Sequence, residues 1–582
     1  ERAPDYQHNP RPVLLQRDDD IRVVEQRLLA GGCYATAWKQ IPLGENRARL
    51  LLTTANEYPP AGSSAPVAVE TIQRNSKADF EAMVEAHRDW WHAFYQRSFL
   101  GIPDPRLESF YWIQLYKFGA AARAGGPPVD LFGPWFKLSI WPGMWWNTNV
   151  QKSYWLPVMA NHLDLSGTLI QKMDDYWQGL LNRFHKTQSQ GDLAWVLHNY
   201  WLHYRHQGDW NALAEKWLPK ATDVLEGYTT LMEEGPDGRL HLKPMGSPEF
   251  QGFKPFRNTN YNLALLRWLV RSVNEVNVNT GAGAALAAEW SAKVERLIDP
   301  PVDEHGFMIG SDQSVDESQR HHSHLIGFYP LFIFDDDDPE MYELLRHSTY
   351  HWLLITNPDG RRDRTGFAQA IAASTVAALG DGNEAIDFIN GLLDNNLGNT
   401  IHGSMVLPNT FYMEANGLYP TIESPLAASS ATIEMVLQSW RETVRVFPAV
   451  PDAWDNVRFH NLRAEGGFLV SAERRNGRTA WVMLESTAGE PLTVRVRDWD
   501  EPVVAQAEGE ISIRSLGSGD FVIDLKQGER VLLSPAASPV TRPVLHAHPR
   551  TEQERHFYGV RPDNRLKENR THPKDIPLRI EQ

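Results

Sequence analysis

The sequence predicts a mainly α-helical protein in which paired helices form an α/α toroid. A short β-rich segment precedes the toroid and a β-sandwich follows it. Three observations predict this fold. About a dozen stretches with apolar residues at helical spacing follow one another, with few strands between them. Strand patterns occupy the region after residue 445. The 582 residues, 42% of them hydrophobic, supply enough apolar material for a large core.

The first 72 residues form the β-rich N-terminal segment. Arg47–Ala55 has the composition of a strand, and Pro59–Ser64 that of a loop. This is too little sequence for a complete sandwich, so we interpret residues 1–72 as an incomplete N-terminal domain.

The toroid is expected over residues 73–444. Ser76 and Asp79 form a capping-box pattern, and the apolar residues from Phe80 to Phe94 recur at helical spacing. Further helices are expected at 107–124, 153–163, 166–186, 191–206, 211–233, 258–277, 282–297, 339–354, 367–378, 382–394 and 427–441.

The β-sandwich is expected over residues 445–540. Phe468–Ala472 and Thr479–Leu484 flank the turn dipeptide Asn476-Gly477, which predicts a hairpin. Leu492–Val496 alternates and adds a third strand. Residues 541–582 are rich in Pro, Arg and His, and we expect an irregular strap there.

Charge and cysteine content exclude several classes of protein. Asp and Glu number 73 against 57 Lys and Arg, a net charge of -16, which disfavours nucleic acid as a partner. The single cysteine, Cys33, excludes an intrachain disulfide and a cysteine-based metal cage. The apolar runs are too short to predict a membrane helix. The chain begins at Glu1 rather than Met, and we expect a periplasmic or secreted location after removal of a signal.

Aromatic residues are unusually frequent, with 21 Trp, 18 Tyr and 23 Phe. One interpretation is a bulky core between packed helices. The other is a carbohydrate cleft in which sugar faces stack on indole rings. Composition leaves both interpretations open.

An Asn-Thr-Asn step lies in the aromatic segment that includes Trp145 and Trp146. In an extended segment, Asn147 and Asn149 would direct two carboxamides to one side. Two amides can orient a water molecule but need a carboxylate partner to make a base. The alternative is that both asparagines cap a helix or shape a turn.

Two glutamates are candidates for the carboxyls. Glu249 follows a proline in a loop between helices and has apolar neighbours; partial burial would raise its pKa and suit it to general acid catalysis. Glu423 precedes a helix of small residues and is the candidate base. The alternatives are a solvated loop residue for Glu249 and a residue placed to favour the helix dipole for Glu423.

Three histidines, His321, His322 and His324, follow Arg320. Their spacing lacks the pattern of a zinc site, so we expect no metal and no cofactor. Arg320 and the histidines are candidate hydrogen-bond donors to sugar hydroxyls, and structural histidines are the alternative.

Taken together, residues 85–440 resemble glycoside hydrolase family 95, the inverting α-L-fucosidases and α-L-galactosidases. Six segments match the family's motifs in order: Pro127–Trp135, Asn147–Trp155, Ser247–Glu249, Arg320–Pro330, Arg364–Phe367 and Ile422–Ser439.

The resemblance implies an (α/α)6 barrel and a set of residue roles. Glu249 is then the general acid, and Asn147 and Asn149 hold the attacking water with Glu423 as base. Arg320 and His321 bind the sugar, with Trp145, Trp146, His322, His324 and Arg364 as further substrate-binding candidates. An inverting site separates its two carboxyls by about 6.5–9.5 Å.

Some positions depart from the family. Glu423 replaces an aspartate, Gly417 lies where the family has a sugar-contacting histidine, and Leu202 lies where it has an acid. The resemblance predicts an exo-glycosidase that releases α-L-fucose, α-L-galactose or a related sugar from an oligo- or polysaccharide. The departures leave the identity of that sugar open. A polysaccharide lyase, a glycoside phosphorylase and a non-catalytic carbohydrate-binding protein are the alternatives. The oligomeric state stays undetermined.

Overall fold

The structure is a computed structural model. It describes residues 9–16, 20–29, 31–57, 62–135, 141, 143–184, 191–356, 365–394, 405–407, 409–414, 419–500 and 502–545. The chain divides into two compact units, Glu1–Gln96 and Arg97–Gln582.

The first unit contains an antiparallel meander followed by two helices. The strands are, in order across the sheet, β1 (Val13–Gln16), β2 (Arg22–Arg27), β3 (Cys33–Gly44) and β4 (Arg47–Glu57). The helices are α1 (Ala65–Ser76) and α2 (Phe80–Tyr95).

The core of this unit lies between the sheet and α1. Val23 and Ala37 of the sheet pack with Ala68 and Ile72 of α1. The strand expected at Arg47–Ala55 is confirmed as β4. The segment expected to be β-rich or irregular up to residue 72 instead contains most of α1, and the unit continues to Gln96.

The start of α2 shows why the helix begins where it does. Asp79 is the N-cap, and its carboxylate accepts a hydrogen bond from the Glu81 backbone amide at 3.0 Å. Ser76 belongs to the end of α1, so the expected capping box is wrong. The helix predicted after it is confirmed.

The second unit begins with a helical region. Its helices are α3 (Pro105–Ala121), α4 (Asn149–Ser153), α5 (Trp155–Met159), α6 (Leu163–Phe184), α7 (Gly191–Gln207), α8 (Trp210–Ala212), α9 (Leu218–Thr229), α10 (Asn260–Thr280), α11 (Ala284–Glu295), α12 (Pro339–Thr356), α13 (Gly366–Ala378), α14 (Gly382–Leu393) and α15 (Glu423–Val436).

α13 and α15 form the centre of this region. Nearly every residue of both helices is buried, and both are rich in Ala, Ser and Thr. A helix that is apolar or small on all sides belongs in a core, and small side chains let neighbouring helices approach closely. The two helices pack directly against each other.

Short strands lie among the helices: β5 (Phe99–Gly101), β6 (Met232–Glu234), β7 (Leu240–Leu242), β8 (Val302–Asp303), β9 (Gly306–Phe307), β10 (Met405–Val406), β11 (Tyr412–Glu414) and β12 (Tyr419–Thr421). β11 pairs with β12 so that Tyr412 lies opposite Thr421. This pairing holds β11 beside the segment that leads into α15.

The strand-rich C-terminal region contains β13 (Leu437–Trp440), β14 (Thr443–Val446), β15 (Val457–Ala464), β16 (Phe468–Arg475), β17 (Arg478–Ser486), β18 (Pro491–Arg495), β19 (Val503–Gln506), β20 (Ser512–Gly517), β21 (Asp520–Asp524) and β22 (Arg530–Pro535). They form one sheet in the order β13-β14-β18-β21-β20 and a second in the order β19-β22-β17-β16-β15-β5.

The predicted hairpin is confirmed as β16 and β17. Asn476 and Gly477 have φ values of 49° and 78°, and a two-residue hairpin turn of this type needs positive φ at both positions.

The helix expected at 427–441 is wrong at both ends. It runs over Glu423–Val436, and Leu437–Trp440 is a strand paired with β14. The apolar pattern of Leu437–Trp440 satisfies either structure, and the neighbouring strand decides between them. Most of the strap expected at 541–582 lies outside the described residues.

Candidate active site

Glu423 is the first residue of α15, and its side chain is buried. β12 ends two residues earlier, so the chain passes from a sheet edge into the helix at this carboxyl. Burial raises the pKa of Glu423 to about 8, and the nearby charge of Glu414 adds to the effect, whereas Lys152 opposes it. Glu423 is therefore mostly protonated at neutral pH.

Asn149 contacts this carboxyl. Its side-chain amide donates a hydrogen bond to Glu423 Oε1 at 3.4 Å. The expected pairing of Asn149 with Glu423 is thus present.

The geometry expected for the Asn-Thr-Asn step is wrong. Residues 146–148 form a turn, Thr148 has a φ of 105°, and Asn149 begins α4. The segment is therefore not extended, and the alternation that would place both amides on one side does not apply. Asn147 is half-buried on the turn, two residues before Asn149.

Lys152 is a buried basic residue that the sequence interpretation missed. It lies on α4, is completely buried, and donates from Nζ to the Phe367 carbonyl oxygen at 3.4 Å. Burial lowers the pKa of Lys152 well below its ordinary value, while the Glu423 charge raises it. The signal in the sequence was a lysine followed directly by Ser153, Tyr154 and Trp155, an environment typical of a core.

Glu249 lies in the loop between β7 and α10, with its side chain 30% exposed. Arg320 forms an ion pair and hydrogen bond with Oε2, and His321 Nε2 lies 3.3 Å from the same oxygen. Burial raises the pKa of Glu249, but the hydrogen bonds and charges of His321 and Arg320 outweigh burial and lower it below its usual range.

The expectation that Glu249 is protonated near neutrality is therefore wrong for the molecule without substrate. The expectation considered burial and apolar neighbours in sequence. The dominant partners come from a loop 71 residues away, and two donors at one oxygen favour the ionised carboxylate.

Only one of the three histidines contacts Glu249. His321 is buried; burial lowers its pKa, and the neighbouring Glu249 carboxylate opposes this effect. His322 lies against the Tyr329 carbonyl oxygen at 3.0 Å, and His324 packs edge-on against Trp352. His322 and His324 are both 2% exposed, and their role in substrate binding stays a prediction.

Glu414 is a third carboxyl of this site, and the sequence interpretation missed it as well. We call Glu249, Glu414 and Glu423, with Arg320 and His321, the Glu249 cluster. It ends β11 and is 6% exposed. Burial raises its pKa, Arg320 opposes this effect, and Glu249 adds to it. Because Glu414 also raises the pKa of Glu423, it couples the Glu249 carboxyl to the Glu423 carboxyl.

The remaining candidates have different outcomes. Trp145 is 42% exposed and Trp146 is half-buried. Both side chains therefore keep some surface exposed to solvent next to Asn147. Arg364 and Gly417 lie outside the described residues. Leu202 lies on α7 and lines a cavity whose lining does not include Glu249, Glu414 or Glu423.

Two kinds of feature are missing from the described residues. They include no group of three or more His, Cys, Asp or Glu side chains placed to hold a metal ion. Among the helices of the same residues, none has the length and apolar character needed to cross a membrane.

Two family models match adjacent parts of the chain. Residues 161–436 match the glycosyl hydrolase family 95 catalytic domain, and residues 438–533 match the glycoside hydrolase family 95 C-terminal domain. Together they cover well over half of the chain. They define the protein as a glycoside hydrolase with a helical catalytic domain followed by a strand-rich domain.

The chain belongs to glycoside hydrolase family 95. The catalytic-domain match begins at residue 161, after Asn147 and Asn149. The predicted role of the two asparagines therefore depends on the motif resemblance and on the contact of Asn149 with Glu423.

Two solved structures are similar to the chain, and the first of them resembles it in fold. One is described as "Putative kojibiose phosphorylase from human microbiome"; it has a TM-score of 0.60 and 10% identity, over 90% of this chain and 77% of that one. Another is a metal-independent alpha mannosidase of Streptococcus pneumoniae, with a TM-score of 0.38 and 12% identity over 60% of this chain and 98% of that one. No curated protein matches the chain.

Proposed function

We propose that this protein is an inverting exo-glycosidase whose catalytic carboxyls are Glu249 and Glu423. The observation that carries the proposal is that Arg320 and His321 lie at the Glu249 carboxylate while Asn149 donates a hydrogen bond to the Glu423 carboxyl. The pKa values of the two carboxyls are shifted in opposite directions. Glu249 is ionised by Arg320, whereas Glu423 is buried with a pKa of about 8. An inverting hydrolase needs one protonated and one ionised carboxyl.

The proton has to change places when substrate binds. In the free protein it resides on Glu423, but a general acid at position 249 must carry it. Sugar hydroxyls that take up the donors of Arg320 and His321 remove the cause of the low pKa of Glu249 and leave the effect of burial, which raises it. Glu414 offers Arg320 a second carboxylate once Glu249 is protonated.

Glu423 in its ionised form is then the base. Lys152 stabilises the charge of Glu423, and Asn149 is within hydrogen-bonding distance of Oε1. A water molecule beside Asn149 and this carboxyl loses a proton to Glu423 as it attacks the anomeric carbon. Glu249 protonates the departing glycosidic oxygen on the opposite face of the sugar.

The substrate we propose is an oligo- or polysaccharide with a terminal α-L-fucose, α-L-galactose or related sugar. Arg320 and His321 supply hydrogen-bond donors beside Glu249, and the exposed ring of Trp145 supplies a flat apolar surface for a sugar face. We further infer that the helices of the second unit close into an (α/α)6 barrel around this cluster.

A substrate screen tests the proposal against its rivals. We expect hydrolysis of an aryl α-L-fucoside or α-L-galactoside, and of the matching oligosaccharide, with a rate independent of phosphate. A strict phosphate requirement would identify a phosphorylase, and an unsaturated product that absorbs ultraviolet light would identify a lyase. Sugar binding without release of any product would leave a binding protein.

A further inference from the structure

A second cavity lies at the opposite end of α15 from Glu423. It has a volume of about 340 Å³ and is lined by Ile433 and Glu434, which come ten and eleven residues after Glu423. At 1.5 Å per residue this separation is about 15–16 Å along the helix. We call this space the lower cavity. Trp201, Arg271, Glu434, Trp440 and Glu465 define it, and none of them belongs to the Glu249 cluster.

The lower cavity has an aromatic wall. The indoles of Trp201, Trp210 and Trp440 line it. Trp440 is held in place by Phe332, whose ring stacks on it with centroids 3.9 Å apart and an angle of 4°. The Arg445 guanidinium lies over the other face of the Trp440 ring, 4.1 Å from its centroid. Trp440 therefore offers a ligand its fixed ring edge, with an indole N–H that has no hydrogen-bond partner among the described residues.

The polar wall combines donors and acceptors whose charges are already balanced. Arg205 forms two hydrogen bonds of 3.0 Å with Glu490. Arg271 donates to the backbone carbonyl of Phe332 at 2.7 Å and pairs with Glu275 at 3.4 Å. An anion would meet carboxyls here and a metal ion would meet guanidinium groups, so neither fits this wall.

Two further carboxyls face the cavity with little charge. Burial raises the pKa of Glu434 and that of Glu465 to about 7 in each case. At neutral pH each is partly protonated, so each presents both a donor and an acceptor. Rigid indoles beside such groups are complementary to a neutral ligand with many hydroxyls.

The cavity is accessible. Arg441 and Glu442, which line it, are exposed to solvent. A smaller cavity of about 100 Å³ adjoins it, shares Trp440 and Glu465 with it, and extends to Phe468 and Leu492 of the strand-rich region. Together the two cavities are lined by residues of both the helical region and the strand-rich region.

We propose that the lower cavity is a second carbohydrate site that binds a neutral mono- or disaccharide, separate from the Glu249 cluster. Saccharide held between the helical region and the strand-rich region would keep a glycan near the enzyme while its end is hydrolysed. The proposal does not depend on Glu249 being catalytic.

Binding stoichiometry tests the proposal. The full-length protein is titrated calorimetrically with methyl glycosides of glucose, galactose, mannose and fucose, and with trehalose. Leu202, which lines the cavity, is replaced in Leu202→Trp so that the larger ring fills the space. Leu354→Trp is the matched control, because Leu354 is 58% exposed on α12. Glu465→Gln is a second variant that preserves the shape of the side chain.

We expect at least one probe to bind in the millimolar range. Leu202→Trp should lose one class of sites that Leu354→Trp retains, with hydrolysis unchanged in both, and Glu465→Gln should weaken the same class severalfold. If both sites bind sugar, Leu202→Trp lowers the number of binding sites per protein from two to one. If the Glu249 cluster binds no sugar, the same variant lowers it from one to zero. The two proposals can therefore fail separately. Equal binding by a folded Leu202→Trp and the parent protein, or no binding of any probe, would overturn the proposal. If Leu202→Trp does not fold, unchanged binding by Glu465→Gln overturns it.

Discussion

The two ends of α15 each carry a glutamate whose pKa is raised by burial, yet their surroundings differ. At the first end, Glu423 lies with Lys152, Asn149 and Glu414, and is coupled to the ion pair of Glu249 with Arg320. At the other end, Glu434 accepts a hydrogen bond from the Tyr329 hydroxyl at 2.8 Å. A raised carboxyl pKa is thus not enough to identify a catalytic residue. The partners distinguish the two sites: Glu423 has an amide donor in Asn149 and is coupled through Glu414 to Glu249, whereas Glu434 is bonded to a tyrosine hydroxyl.

The largest expected effect comes from Glu249→Gln. Loss of the acid should reduce turnover of natural glycosides by about 10²- to 10⁴-fold. Aryl glycosides with a good leaving group should be affected much less, because their leaving group needs no proton. Steady-state kinetics on both substrate types measure the difference.

Glu226→Gln is the control for this prediction. Glu226 is exposed on α9, and the same chemical change there should leave both substrates unaffected. An equal loss for aryl and natural glycosides in Glu249→Gln would remove the acid role from Glu249.

The pH dependence of kcat/KM is the next effect. The two carboxyls share one proton, so the pair has to be treated as a unit. The proton is lost as the pH rises through the raised pKa of about 8, and kcat/KM should fall above that pH. If kcat/KM instead rises through pH 8, the reaction needs ionised Glu423 and no proton on either carboxyl.

Two variants should move this alkaline limit in opposite directions. Glu414→Gln removes a charge that raises the pKa of Glu423, so the fall should occur at lower pH. Lys152→Met removes a charge that lowers it, so the fall should occur at higher pH. Movement of both limits in the same direction would contradict the coupling described here. Circular dichroism shows whether each variant is folded.

The sequence predicted most of the helices, the Asn476-Gly477 hairpin and several site contacts. Motif order placed Glu249 with Arg320 and His321, and Asn149 with Glu423, although each pair is far apart in the chain. Lys152 and Glu414 were missed because ionisable residues are usually exposed, and sequence alone does not reveal burial. The protonation of Glu249 was misjudged for a related reason. Its pKa depends on a guanidinium that only the fold brings near.

The smallest expected effect concerns stability at the other end of α15. The pKa of Glu434 is higher in the folded protein, about 7, than in the unfolded chain, so the folded state binds the proton more tightly. Its contribution to stability is complete below the unfolded pKa and is lost as the pH rises through 7. Glu434→Gln should therefore reduce the fall in the free energy of unfolding between about pH 5 and pH 8 by about 2–3 kcal/mol. Urea denaturation at both pH values measures it, and Glu226→Gln should show no change. An unaltered pH dependence in Glu434→Gln would mean that this carboxyl titrates normally.

The most direct test of the central proposal is the stereochemistry of the sugar first released. Proton NMR during hydrolysis of an α-glycoside distinguishes the two anomers before mutarotation mixes them. If Glu423 and Asn149 direct water to the face opposite Glu249, the β-anomer appears first. Initial release of the α-anomer would contradict the account, since it requires a covalent intermediate that this pair of carboxyls is not proposed to form.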